Sequence, residues 1–205
     1  MWRKRVARGF VPLVLAALIA GCDGGSGKGP ESTLPPPPPS TTTTTIDVAK
    51  VPATIDVAYV QAVMNSLDKV TGDAVRVFVA QRGPNKEWYE TFRAVFEEDV
   101  FQRLQKEFSD FVVLDQLKSL KTQPGNPVTT VTRIVDSSPT CIVAEGNRTF
   151  GPIFVTPPPS DTISGFVQLA IKQSTRDPQG RNPTTWSVVA DVNSREAKIP
   201  ENPCI

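Results

Sequence analysis

Histidine is missing from all 205 residues of this chain. Its absence removes Ser-His-Asp and Cys-His nucleophilic machinery, and with it the commonest ligand of a catalytic zinc. Long apolar runs are scarce too. The run Val11 to Ala20 (VPLVLAALIA) is interrupted by Pro12, and crossing about 30 Å of hydrocarbon takes about 20 apolar residues. Basic residues do not cluster beyond the first eight positions. Arg3, Lys4, Arg5 and Arg8 all precede Cys22 and no acid does. Past residue 21, 18 basic residues therefore face 21 acidic ones, a net of −3 behind the formal +1. Phosphate binding draws on clustered Lys and Arg, so nucleic acid is not expected as a partner. Cysteine is limited to Cys22, Cys141 and Cys204, an odd count that an exported chain must account for.

What the N-terminus does contain is ordered by charge and size. A cationic stretch, MWRKRVARGF, leads into the short apolar run, and small residues follow, in the manner of a secretory leader. Ile19-Ala20-Gly21-Cys22 resembles the bacterial lipobox. That resemblance implies a lipoprotein signal peptide over residues 1–21, a mature chain that starts at Cys22, and a diacylglycerol on the Cys22 sulfur. The protein would then be lipid-anchored on the extracytoplasmic face of the cell membrane. Each buried methylene contributes ~0.8 kcal/mol, so two or three acyl chains hold stably. An uncleaved anchor and ordinary secretion are the alternatives.

Residues 22–54 are rich in Gly, Ser, Thr and Pro and have little to bury, so they read as a disordered tether. Pro35 to Pro39 should form polyproline II of about 15 Å, holding a domain off the lipid surface. An SH3-type ligand role for the prolines, and sugar on Thr41 to Thr45 or on Asn147, are weaker readings of the same residues.

Residues 55–205 are left for one domain. Asp56 is an N-cap, and Val60, Met64, Leu67, Thr71, Ala74 and Phe78 recur at helical spacing up to Gly83-Pro84, with a kink expected at Gly72. Trp88, Phe92 and Val95 mark a second helix after Asn85. Phe101, Leu104, Phe108 and Phe111 mark a third after Glu98-Asp99, running toward Leu117. Beyond Pro127 the period changes to two. Strands are expected over 128–135, 140–150, 165–172 and 185–192, the first two joined at Asp136 to Pro139. Helices followed by antiparallel strands indicate α+β, with N-terminal helices packed on a C-terminal curved sheet.

That order resembles the NTF2-like or cystatin-like cone, in which a bent sheet wraps a long helix. Such folds place a strand among the helices, and none is visible before residue 128. The segments AYVQAVMNSLDKVTGDAVR, PGNPVTTVTRI and NPTTW are similar to uncharacterised lipoproteins of high-GC Gram-positive bacteria. The resemblance supports the envelope address and implies no activity.

Export makes a disulfide between Cys141 and Cys204 the leading use of those two cysteines, worth on the order of 4 kcal/mol for a loop of about 64 residues. Trp88, Tyr89, Phe92, Phe96, Phe150 and Trp186, with Phe166 beside them, are candidates to line a pocket for an apolar ligand. Glu97-Glu98-Asp99 is read as a solvated helix entry. Tyr89 with Glu90 or Asp191 has no spacing that marks acid–base chemistry. No catalytic residue, metal or cofactor is assigned. The leading expectation is a non-enzymatic module that binds an envelope protein or an apolar small molecule. An NTF2-like isomerase or cyclase using carboxylates and a structural accessory of a membrane complex are the alternatives.

Overall fold

The computed structural model describes residues 45–156, 166–173, 177 and 179–193, all within the compact unit Thr44–Ile205. The leader, the tether up to residue 44, Cys22 and Cys204 lie outside the described residues, as do the side chains of Phe166 and Asp191.

Three helices precede four strands: α1 (Val57–Gln81), α2 (Lys86–Val95), α3 (Glu98–Val113), then β1 (Val128–Ser138), β2 (Cys141–Thr149), β3 (Phe166–Gln173) and β4 (Trp186–Asn193). The strands form one antiparallel sheet in the order β1-β2-β3-β4. The fold is α+β, with the helices before the sheet. No helix among the described residues is long and apolar enough to cross a membrane.

Local chemistry explains where the helices begin and end. The Asp56 carboxylate accepts from the Tyr59 N–H at 2.8 Å, and the Asn85 side chain accepts from the Trp88 N–H at 2.8 Å, each satisfying an orphan donor of a first turn. At the end of α1, Arg82 takes a left-handed conformation (φ 57°) and the Gly83 N–H reaches back to the Phe78 carbonyl at 3.0 Å, a Schellman closure. Asp115 (φ 52°) closes α3 in the same way, with the Gln116 N–H on the Phe111 carbonyl at 2.8 Å.

The stripe predicted on α1 is the buried one: Val60, Met64, Leu67, Ala74 and Phe78 are all in the core, and Thr71 is buried beside them. Each fully buried large apolar side chain contributes about 1.5–3 kcal/mol. Facing the helices are Val131 of β1, Ile142 and Ala144 of β2, Ile171 of β3 and Trp186 and Val188 of β4. Register shifts between Val131 and Arg133, and between Ile134 and Asp136, mark bulges that bend β1.

Four expectations change. The packed unit begins before residue 55, because Val48 and Val51 lie against the core; two isolated apolar residues in a polar stretch were too little to betray it. Helix α1 is continuous through Gly72. Helix α3 stops at Val113, short of Leu117, which starts a separate 3₁₀ turn over Leu117–Ser119. The strand sought among the helices exists as one parallel bridge, Phe96 to Val188, with the Glu97 N–H on the Val188 carbonyl at 2.9 Å. A single residue pair has no periodicity to read.

Candidate functional site

Of the six aromatic residues expected to line a pocket, four are core, and Tyr89 and Phe150 are partly buried against it. Trp88, Phe92, Phe96 and Trp186 are each 2% exposed or less, and the first three pack ring on ring with Tyr89: Trp88 stacks on Phe92 at 4.6 Å, Tyr89 stands edge-on to Trp88 at 5.0 Å, and Phe92 meets Phe96 at 5.4 Å. Phe108 of α3 closes the cluster against Phe78 at 4.9 Å. Such pairs add to plain area burial. Phe150 and Trp186 stand apart from this group. The Arg148 guanidinium lies 5.2 Å from the Phe150 ring centroid, and the Trp186 indole N–H donates to the Tyr59 hydroxyl at 2.8 Å. Sequence spacing cannot separate a wall from a core, because both need aromatics on the inward face.

A polar seam, missed from the sequence, runs along α1. Gln61, Asp68, Gly72 and Arg76 recur at seven- and four-residue steps, a second stripe beside the apolar one. The stripe meets the segment 124–131 that leads into β1. The Gln61 amide donates to the Thr129 carbonyl and accepts from the Val131 N–H, both at 2.7 Å. The Asp68 carboxylate accepts from the Thr129 N–H at 2.7 Å and from Arg148 of β2 at 2.9 Å. Arg76 donates to the Pro124 carbonyl at 2.9 Å and to the Asn126 side chain at 3.2 Å. Edge strands expose unpaired backbone groups; here side chains of α1 take them up.

Burial pushes the Asp68 carboxyl above its ordinary value, against the charge of Arg148 and the hydrogen bonds from Thr129 and Arg148, which pull it down. Such a carboxylate attracts attention as a catalytic acid. In this site both of its oxygens are already engaged.

A second latch joins the helices to β4. The Asn182 side-chain amide donates to the carbonyls of Ala94 (2.8 Å) and Trp186 (2.7 Å), Arg181 pairs with Glu90 at 2.8 Å, and Ser187 donates to Glu97 at 2.6 Å. Glu97 is thus a tie between the entry of α3 and the sheet as well as part of an acidic helix start. The three segments that carried the lipoprotein resemblance contain these seams: residues 58–76 and 124–134 face each other across the first, and residues 182–186 make much of the second.

On the surface, the end of α3 presents Val112, Val113 and Leu114 at 40%, 79% and 60% exposure, with Val155 also exposed at 61%. The closure at Asp115 ends the helix directly after these three consecutive apolar residues. Cys141 opens β2, is 3% exposed and is not a free thiol. Among the described residues, no group of three or more His, Cys, Asp and Glu side chains is placed to hold a metal.

No protein-family description, curated protein or solved structure matches this chain.

Proposed function

We propose that this chain is a lipid-anchored envelope protein whose α+β domain binds a protein partner. The observation that carries the binding reading is the apolar tip of α3: Val113 and Leu114 are mostly exposed on a helix end closed by backbone hydrogen bonds. Contiguous exposed apolar residues of this kind favour association. The envelope address rests on the leader and on Cys22 within LIAGC.

The Cys141–Cys204 disulfide belongs to the same proposal. Its support is that Cys141 is buried and not a free thiol, and that a lipid on Cys22 leaves Cys204 as the remaining cysteine. An NTF2-like cone gains support from the Phe96–Val188 bridge. The enzyme alternative loses support, because the buried carboxylate at Asp68 is held by Arg148 and Thr129 and four of the six aromatics are packed in the core.

Two substitutions test the reading. Cys22→Ala should move the protein out of the membrane fraction, and unchanged fractionation refutes the anchor. A photoreactive residue at Val113 should give a discrete cross-linked species in intact cells, lost in Leu114→Asp, while one at the exposed Lys86 gives none. Equal cross-linking from both positions, or none from Val113, refutes the binding surface.

A further inference from the structure

Residues 45–54 are held differently from the rest of the domain. Among the described residues, their hydrogen bonds and ion pairs all stay within the segment. The Lys50 N–H donates to the Asp47 carbonyl at 3.4 Å, the Ala49 N–H donates to the Asp47 carboxylate at 3.1 Å, and Lys50 pairs with Asp47 at 3.4 Å. Unlike the two seams, the segment sends no polar tie to the helices or the sheet. Contact with the core is left to Val48 and Val51, both only partly buried, while Ile46 is exposed.

The segment ends where the domain is firmly built. Ile55 and Val60 hold the two positions of a hydrophobic staple around the Asp56 cap, and the Asp56 carboxylate accepts from the Tyr59 N–H at 2.8 Å. From there the contacts run inward, because the Tyr59 hydroxyl accepts the Trp186 indole N–H at 2.8 Å and both side chains are buried. Burial pushes the Tyr59 hydroxyl above its ordinary value; the bond from Trp186 opposes the shift and the charge of Asp47 adds to it. Asp47 therefore lies near that hydroxyl, with Val48 and Val51 on the neighbouring core surface.

We infer that residues 45–54 are a releasable clasp: they open as a unit about Ile55, by a local step distinct from global unfolding, and bare the Tyr59–Trp186 end of the core. The ground is the difference in what holds each part. Ties between distant segments, such as Arg148 to Asp68 and Asn182 to Ala94, must break before the helices can leave the sheet. Opening the clasp breaks none of them and exposes two partly buried valines, and local openings draw on such weakly held segments. The Asp47–Lys50 pair moves with the clasp, so no charge is stranded on release. With Cys22 lipidated as proposed above, a pull along the chain reaches the clasp before α1, and the clasp yields while the body of the domain stays folded. The opening itself does not depend on the lipid.

Hydrogen exchange at the two indole N–H groups of the full chain, labelled with nitrogen-15 at tryptophan, tests the clasp. In the unmodified protein, exchange at Trp186 should be faster than at Trp88 and nearly independent of urea below the unfolding transition, because a local opening exposes little surface. Exchange at Trp88, in the centre of the ring cluster, should climb with urea as global unfolding does. Val51→Ser, which weakens the docked segment, should speed exchange at Trp186 by about five- to tenfold. The same urea dependence at both indoles overturns the clasp, since the two groups would then open together. An unchanged rate at Trp186 in Val51→Ser overturns it as well, whatever the urea dependence, and neither result bears on the anchor at Cys22.

Discussion

The Asp68 carboxylate and the Arg148 guanidinium meet at 2.9 Å in the interior, each side chain 4% exposed, and join α1 to β2 across 80 positions of sequence. Neither charge is tolerable there without the other. Removing one partner of a buried pair costs about 3–5 kcal/mol, because the survivor keeps its desolvation penalty.

Arg148→Met should lower stability by about that amount at pH 7, as measured by urea unfolding. The pH dependence carries a definite sign. Burial raises the Asp68 carboxyl, so the native state holds this proton more tightly than the unfolded chain does. Between the ordinary Asp value and the raised native one, the unfolded chain binds fewer protons, and this group makes stability fall as pH rises. Without Arg148 that interval extends upward, so the deficit of the variant should shrink between pH 7 and pH 5. A deficit that stays constant over this range rules out an uncompensated Asp68 charge as its cause.

Gly72→Ala should be destabilising, although alanine is the better helix former by about 1 kcal/mol. A Cβ at position 72 would meet the Asn126 side chain and come within 2.9 Å of the Asn126 Cα. Overpacking of this kind costs about 1–3 kcal/mol. A rise in melting temperature would show that the loop 124–127 can retreat from α1.

Gln61→Glu keeps an acceptor for the Val131 N–H and removes the donor to the Thr129 carbonyl. Losing one partner of a part-buried backbone group costs about 1–3 kcal/mol. The cost should appear in equilibrium unfolding together with faster amide exchange at Val131, whereas fast exchange without a stability change would assign Gln61 to edge protection alone.

Trp88→Phe should be mild and Trp88→Ala severe. The indole is 0% exposed within a cluster of rings, and among the described residues its N–H has no hydrogen-bond partner. Truncation to alanine costs about 3–5 kcal/mol through the cavity left behind. Phenylalanine also leaves a void but removes an orphan donor worth about 1–3 kcal/mol, so the net loss should stay under about 1.5 kcal/mol. Equal losses in the two variants would mean that the N–H has found a partner.

Much of the fold was legible. Asp56 and Asn85 cap the helices they were expected to start, and the four strands lie within a few residues of their β-branched runs. Caps and periodicity are local, so one segment at a time suffices to read them. The aromatic residues were less legible, since Trp88 and Phe92 carry the same inward spacing in a core as in a pocket wall. Gln61, Asp68 and Arg76 were passed over because polar residues beside an apolar stripe usually face water.

By itself, the sequence determined the order of helices and strands, the α+β class and the buried stripe of α1, because backbone geometry converts residue spacing directly into faces. Only the tertiary structure decided what the polar residues are for. Asp68 becomes an interior charge, Gln61 an edge cap and Gly72 a point of close approach through residues some 50 to 80 positions away. No local period encodes such partners, and their energies depend on the removal of water that folding alone brings about.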